Sequence, residues 1–375
     1  MDERRISDGY EARFGRLAAD EWARVIGAFD DAVIYQTREY GAERWGARNL
    51  SHVVVTRGGE PAAAAQVAEA GAPRIGLGIC YVPWGPMFRP RGRGPDTDAL
   101  RRILGAMLGR YCRERGLCLR LRPQAFMEGD EEGVFAEEGY GRLASAPAHR
   151  TLVMDCSLPL EEIRRGTKRT YRQHLKRAMR CGLEVVDGSG PELYGRFMEL
   201  YGELKARKGF SGRVDPAGFA HVQRALPEGM KMKTTVCLRG DEAVSALVTS
   251  AIGDTAIGIF AASSPKGRET CASYLMWWRA LEAFKAEGRR WLDMGGIDPE
   301  AAPGPARFKS RLAGKTGREV RHPGQFEAAG GLASRVFVGL GSRLREALRR
   351  LASAGRRLRA KPIAGSAPGG TEKRS

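Results

Sequence analysis

The chain has 375 residues, a formal net charge of +18 at pH 7 and a hydrophobic fraction of 42%, which suits two globular domains with ordinary cores. It contains no long apolar run and no apolar N-terminal segment, so we expect neither a transmembrane helix nor a signal peptide, and a cytoplasmic location. The cysteines are scattered without a CxxC pair and the histidines lack ligand spacing, so we expect no disulfide framework and no metal site. The basic excess favours polyanionic partners such as RNA, anionic lipid head groups or diphosphates.

In chain order, residues 1–30 predict an opening helix with Trp22 and Ile26 on its apolar face. Strands and helices then alternate through the first half of the chain. The predicted elements are two strands within 51–69, a strand within 74–88, a helix over 96–115, a strand over 117–122 and a helix with a turn over 133–143.

Residues 89–94 read RPRGRG and lie between a predicted strand and a predicted helix. Backbone N–H groups at the start of a helix favour phosphate. The segment resembles the Arg-x-x-Gly-x-Gly loop with which acetyltransferase-type (GNAT) folds hold the pyrophosphate of coenzyme A. An ordinary surface loop is the alternative interpretation.

Residues 160–182 predict an amphipathic helix with a dense cationic surface. Tyr171, Leu175 and Met179 recur at i, i+4 and i+8 and form its apolar stripe. The cationic side predicts a contact with tRNA or phosphate, and a solvated basic face is the alternative interpretation. The residues predicted to make this contact are Arg165, Lys168, Arg169, Arg172 and Lys176.

The stretch 256–315 predicts a strand, a loop, a helix over 271–285, a strand, a glycine turn and a short helix. The loop carries Ser263 and Ser264, and the turn follows Asp293 as Gly295 and Gly296. The short helix, over 305–313, carries Phe308 and Lys309.

This order of residues resembles the C-terminal signature of the FemABX aminoacyltransferases, which add amino acids from aminoacyl-tRNA to peptidoglycan precursors. Weaker similarities extend the resemblance over 30–320. The resemblance implies a mixed α+β chain with two tandem GNAT-like domains, at 1–148 and 149–322, followed by a basic tail over 323–375.

The resemblance also implies site residues. Lys309 would stabilise the oxyanion at the reacting centre, with Phe308 packed beside it. Asp293 would orient the turn at Gly295 and Gly296 or accept a proton, or simply cap that turn. For Lys309 the alternative is a surface helix residue.

The acceptor site is implied by two further stretches. Arg44 stands where the family carries a lysine that contacts the diphosphate of the acceptor, and a solvated helix arginine is the alternative. Arg213 matches an arginine that contacts the nucleotide-diphosphate part. The family's tyrosine is replaced by Ala217, with only Phe219 nearby, so the identity of the acceptor stays open.

Residues 331–360 predict an amphipathic helix with arginines beside an apolar stripe that includes Val336 and Leu344. Such a helix is typical of peripheral contact with an anionic membrane surface, here the inner face of the plasma membrane. A helix packed on the body and an RNA-binding tail are the alternatives. Residues 361–375 are expected to be disordered.

Three hypotheses follow. The first is a monomeric FemABX-like aminoacyltransferase in cell-wall biogenesis and cell shape, which uses aminoacyl-tRNA as co-substrate, needs no other cofactor, and acts on lipid II or UDP-MurNAc-pentapeptide. The second is an acyl-CoA-dependent N-acyltransferase of the same fold. The third is a non-catalytic basic protein that binds RNA or membrane.

Overall fold

The computed structural model describes residues 2–72, 76–124, 131–144, 149–208, 215–331, 333–336 and 338–339. The strands of the first half are β1 (Asp2–Ser7), β2 (Tyr10–Gly15), β3 (Leu50–Arg57), β4 (Glu60–Ala72), β5 (Leu77–Pro83), β6 (Cys118–Arg122) and β7 (Gly141–Arg142). Those of the second half are β8 (Arg150–Asp155), β9 (Glu184–Gly188), β10 (Lys233–Arg239), β11 (Glu242–Ser250), β12 (Thr255–Ser263), β13 (Trp291–Ile297), β14 (Gly317–Arg321) and β15 (Phe326–Ala329).

The helices lie against these strands. They are α1 (Ala19–Gly27), α2 (Arg38–Trp45), α3 (Thr97–Met107), α4 (Glu131–Glu137), α5 (Leu160–Gly166) and α6 (Arg169–Ala178). They continue as α7 (Pro191–Lys208), α8 (Pro216–Ala225), α9 (Pro265–Glu269), α10 (Ala272–Ala286) and α11 (Pro303–Ala313). Within the described ranges, every helix is too short or too polar to cross a bilayer.

The two sheets share one plan. One follows the order β1-β2-β3-β4-β5-β6-β15-β7 and the other β14-β8-β13-β12-β11-β10-β9. In each, an antiparallel meander ends in a parallel pair joined by a helix, β5–α3–β6 in the first and β12–α10–β13 in the second. The prediction of a mixed α+β chain with two similar units is confirmed.

The opening of the chain differs from the prediction. Residues 2–15 form the hairpin β1–β2, and the helix α1 begins only at Ala19. Tyr10, Ala12 and Phe14 alternate as buried residues, which is the period of a strand. Trp22 and Ile26 are buried on α1, as expected.

The predicted helix over 160–182 is divided into α5 and α6. Thr167 and Lys168 adopt extended backbone angles between them. The Arg172 side chain donates to the carbonyl oxygens of Arg165 and Thr167, so one predicted phosphate ligand satisfies the end of α5 instead.

Residues 326–329, predicted to belong to the tail, form β15 within the first sheet. Glu327 lies opposite Arg120 on β6, and its carboxylate accepts from the Arg120 Nε at 2.8 Å. Helical residues 333–336 follow, and the Ser334 hydroxyl donates to the Gly76 carbonyl at 2.6 Å. The predicted membrane-binding helix over 331–360 otherwise lies outside the described residues, and the domain boundaries stay a prediction.

The two units meet at the turn between β11 and β12. The Gly253 and Asp254 N–H groups donate to the Ala32 and Asp30 carbonyls at 3.1 and 2.8 Å. Beside them the Arg89 guanidinium pairs with the Asp254 carboxylate at 3.2 Å, and their side chains are only 8% and 13% exposed. An apolar cluster with members from both units, among them Trp22, Met87, Phe197 and Phe260, continues this joint.

Replacing Asp254 by Ala should lower the free energy of unfolding by about 3 kcal/mol, because the buried Arg89 charge loses its partner. Urea denaturation followed by circular dichroism measures the change. Asp241→Ala, at the exposed turn between β10 and β11, is the matched control and should change stability by less than about 0.5 kcal/mol. Equal stability of the two variants would show that the Arg89–Asp254 pair does not hold the units together.

Candidate active site

The centre of the second sheet is a close crossing of two backbones. β12 and β13 pair in parallel only from Thr255 to Ile257, and β13 then shifts its register against β8 between Asp293 and Gly296. Gly295 has φ +74°, and a Cβ there would lie 2.5 Å from the Gly258 carbonyl oxygen. Only glycine fits this point. The predicted turn at Gly295 and Gly296 is therefore a distorted part of the strand β13.

Lys309 reaches this crossing from α11. Its Nζ donates to the Gly295 carbonyl at 3.1 Å and to the Gly296 carbonyl at 2.9 Å. Burial lowers the pKa of Lys309 to about 8, and the nearby Asp293 carboxylate opposes that shift. The ammonium form thus predominates at neutral pH, with one N–H beyond the two that the carbonyls accept.

Asp293 holds the crossing from the other side. It is buried, and its Oδ1 accepts from the Gly295 N–H at 2.8 Å and from the Thr151 hydroxyl. Burial raises the pKa of Asp293, while these hydrogen bonds and the Lys309 charge act in the opposite direction. The structure thus brings Asp293, Gly295, Gly296 and Lys309 together.

The Phe308 side chain, on α11, packs against α10 and α6. Its ring centroid is 4.9 Å from that of Tyr274 on α10 and 6.1 Å from that of Tyr171 on α6. The Lys168 N–H also donates to the Arg311 carbonyl at 3.0 Å. The start of α6 is therefore fixed against the helix that carries Lys309.

Four of the exposed cations on and between α5 and α6 form a surface that we call the basic face. Tyr171 and Leu175 are buried on the opposite side of α6, as the apolar stripe predicts, whereas Met179 is exposed. Arg172 is half-buried and turned toward α5. The residues of the basic face are Arg165, Lys168, Arg169 and Lys176.

Arg44 and Phe219, which were predicted to bind the acceptor, lie on α2 and α8 rather than on the elements that carry this centre. Arg44 is exposed on α2, which packs on α8, and Glu43 contacts His221 at 3.3 Å there. Phe219 is buried, with its ring centroid 5.5 Å from that of Tyr40, so its side chain belongs to the core. Arg213 lies outside the described residues.

The RPRGRG segment makes its contacts within the protein. Besides the buried Arg89, the Arg91 Nε donates to the Gly27 carbonyl at 2.8 Å. The Gly92 N–H donates to the Asp30 carboxylate at 2.8 Å. The Asp30 carboxylate therefore already accepts the hydrogen bond from the Gly92 N–H that a phosphate would need.

A cleft of about 820 Å³ opens beside Gly296. Its walls include Arg122 from the first sheet, His149 from the start of the second unit and His322 from the link between β14 and β15. These residues are far apart in sequence and only the fold assembles them. The described residues contain no cluster of three or more His, Cys, Asp or Glu side chains suited to a metal ion.

Gly295→Ala should lower the free energy of unfolding by about 2 kcal/mol, because alanine is strained at this φ and meets the Gly258 carbonyl. Thermal or urea denaturation measures it. Gly304→Ala, in the first turn of α11, meets no atom within 4 Å and should be neutral. The close crossing is refuted if Gly295→Ala is as stable as this control.

With this geometry in place, the comparisons with known proteins are informative. Residues 165–310 match the family model of an acetyltransferase (GNAT) domain. None of the curated proteins compared with the chain matches it. The crystal structure of FemX has a TM-score of 0.69 to this chain at 14% identity, over 87% of this chain and 98% of that one.

Two further solved structures show the same architecture. The C-terminal DUF2156 domain of a putative lysylphosphatidylglycerol synthetase from Agrobacterium fabrum has a TM-score of 0.53 at 12% identity, over 86% of this chain and 96% of that one. A conserved protein of unknown function from Bacteroides thetaiotaomicron has a TM-score of 0.52 at 9% identity, over 84% and 98%. The predicted resemblance is confirmed at the level of the fold: residues 165–310 match the model of a GNAT acetyltransferase domain, and the chain has a FemX-like fold.

Proposed function

We propose that the protein is an aminoacyltransferase, which moves an amino acid from aminoacyl-tRNA to the stem-peptide amine of a peptidoglycan precursor. The observation that carries this proposal is the half-buried Lys309 ammonium, held by the Gly295 and Gly296 carbonyls inside a GNAT-type domain. The likeness of the fold to FemX supports the choice of reaction class.

The chemistry asks little of the protein beyond position and charge. An aminoacyl ester is already activated, and the acceptor amine attacks its carbonyl carbon to give a tetrahedral intermediate with a negative oxygen. The third N–H of Lys309 is then a donor for that oxygen. Because two carbonyls already orient the ammonium, little reorganisation is needed, which is how such donors accelerate acyl transfer. The ester bond breaks as the intermediate collapses, the oxygen leaves with the tRNA 3′-terminal ribose, and the proton lost by the attacking amine converts that oxygen to the ribose hydroxyl.

The donor substrate is supported by the basic face. Lys168 and Arg169 stand at the start of α6, next to the helix of Lys309, so a bound polyanion would run toward the crossing. The acyl-CoA alternative rested on the RPRGRG loop, whose described contacts are within the protein. This supports aminoacyl-tRNA over acyl-CoA as the donor.

Two kinds of acceptor fit the exposed surface, a peptidoglycan precursor and an anionic lipid. Arg44 is exposed and available for a diphosphate, and the likeness to a lysylphosphatidylglycerol synthetase domain makes an anionic lipid the competing acceptor. Contact with the inner membrane through 331–360 would serve either lipid-linked acceptor.

Lys309→Ala should reduce transfer by about 10²–10³-fold, because the oxyanion loses its fixed donor. The assay follows labelled amino acids from a charged total-tRNA pool onto lipid II, UDP-MurNAc-pentapeptide or phosphatidylglycerol vesicles. Lys231→Ala is the matched control, since Lys231 also donates to two main-chain carbonyls, of Gln223 and Arg224, away from the crossing.

The same assay over a range of pH separates two roles of Lys309. If the ammonium is the donor, the wild-type rate should fall as pH rises through about 8. A rate that rises there would assign Lys309 as a base instead. Label on the vesicles alone would replace the peptidoglycan precursor by a lipid acceptor, and no transfer to any acceptor would refute the aminoacyltransferase proposal.

Neutralising the basic face should weaken tRNA binding and make it less salt-dependent. For the triple variant Lys168→Gln, Arg169→Gln and Lys176→Gln, the slope of log affinity against log salt should decrease by about 2 to 3, because three phosphate contacts are lost. Filter binding of tRNA at several KCl concentrations measures it. A second triple variant, Arg5→Gln, Arg24→Gln and Arg93→Gln, removes the same charge from exposed positions elsewhere. Equal slopes for both variants would exclude the basic face as the tRNA surface.

A further inference from the structure

The cleft beside Gly296 has the composition of a binding site that the transfer reaction alone does not explain. The cleft begins at Gly296, whose carbonyl accepts a hydrogen bond from Lys309. It extends between the two sheets to Gly324 and Gln325. Cations and acids both line it, namely Arg122 and Arg150, and Asp298 and Glu300. Five of the eleven other lining residues are alanine or proline.

His322 is the unusual residue of this cleft. It is 2% exposed, yet neither ring nitrogen has a hydrogen-bond partner in the part of the chain that the structure describes. Burial, together with His149 and Arg122, lowers the pKa of His322 to about 3, and the Pro123 main chain only partly opposes this. The ring is therefore neutral, and neither nitrogen forms a well-aligned hydrogen bond with a described residue, which is costly for a buried group.

Trp84 places Arg122 next to this histidine. The Arg122 guanidinium lies 4.4 Å from the Trp84 ring centroid, and the His322 ring meets the same indole edge-on at 4.7 Å. Trp84 itself has φ +55°, a conformation that is strained for a bulky residue. The strained backbone at Trp84 thus positions an indole ring that contacts both the Arg122 guanidinium and the His322 imidazole.

From this juxtaposition we infer that the cleft binds an extended peptide and that Arg122 and His322 together hold a carboxylate of that peptide. The inference rests on the proposed function, because it assigns the peptide to the acceptor. Arg122 supplies the charge and the fork geometry that carboxylates prefer. The neutral His322 supplies an N–H, which the carboxylate oxygen accepts.

The rest of the cleft fits a peptide better than a phosphate. Asp298 and Glu300 would repel the dense charge of a diphosphate, whereas they tolerate a ligand that carries amides and an amine as well as a carboxylate. The Cβ of any larger residue at Gly296 would meet the His149 ring at 2.3 Å, so this ring packs directly on the Gly296 main chain. A peptide in the cleft would therefore pass the His149 ring on its way to the Lys309 contact.

The test is equilibrium binding to the full chain by titration calorimetry, without tRNA. The probes are N-acetyl-Lys-D-Ala-D-Ala with a free C-terminal carboxylate and the same peptide as its C-terminal amide. The acid should bind about tenfold or more tightly than the amide, because a charge-assisted contact is lost in the amide. Arg122→Gln should abolish this preference and His322→Phe should reduce it. Arg24→Gln, on α1, should leave it unchanged.

The comparison of acid with amide on the wild-type chain stands even if His322→Phe does not fold. Equal binding of the two peptides, no binding of either at millimolar concentration, or a preference that Arg122→Gln leaves intact would overturn the inference. A preference for the acid in a chain that transfers no amino acid would keep the cleft assignment and refute the proposed function. Transfer without any preference would do the reverse.

Discussion

The approach of Gly295 to the Gly258 carbonyl is the constraint on which the centre of the second unit depends. Because no side chain fits at Gly295, the two backbones come close enough for β13 to leave β12 and pair with β8. The Gly295 and Gly296 carbonyls then face α11. Lys309 donates a hydrogen bond to each, and these two bonds compensate for the partial burial of its ammonium. Asp293 stabilises the same bend through the Gly295 N–H. A lysine ammonium held by two main-chain carbonyls thus follows from a requirement of the backbone.

The joint between the units determines the shape of the cleft beside Gly296. It combines main-chain contacts, as where Gly253 and Asp254 donate to the segment around Asp30, with the apolar cluster shared by both units. Main-chain contacts permit little sliding, and the buried Arg89 charge adds an electrostatic penalty to separation. The cleft walls come from both sides of this joint, so the distance from Arg122 to His322 depends on it. Rigid placement of two units is a way to align two substrates without large closure motions.

Elements whose pattern is local were predictable from the sequence. The helix over 271–285 and the short helix with Phe308 and Lys309 were found within two residues, because apolar spacing and turn residues specify them. The hairpin β1–β2 was missed, although Tyr10, Ala12 and Phe14 alternate with charged residues at the period of a strand, because one helix was predicted over the whole of residues 1–30. The break at Thr167 was missed because cations continue at helical spacing across it. The residues that line the cleft could not be predicted, because they meet only through long-range pairing of strands.

The position of β15 has a consequence for how the chain acquires its structure during synthesis. In the first sheet β15 lies between β6 and β7, the place that β8 occupies between β13 and β14 in the second. The first sheet therefore stays open at β6 until residues 326–329 have left the ribosome, while the second sheet can already close. The N-terminal unit is thus the last to be completed, and its unpaired edge is the part of the nascent chain most in need of chaperone protection.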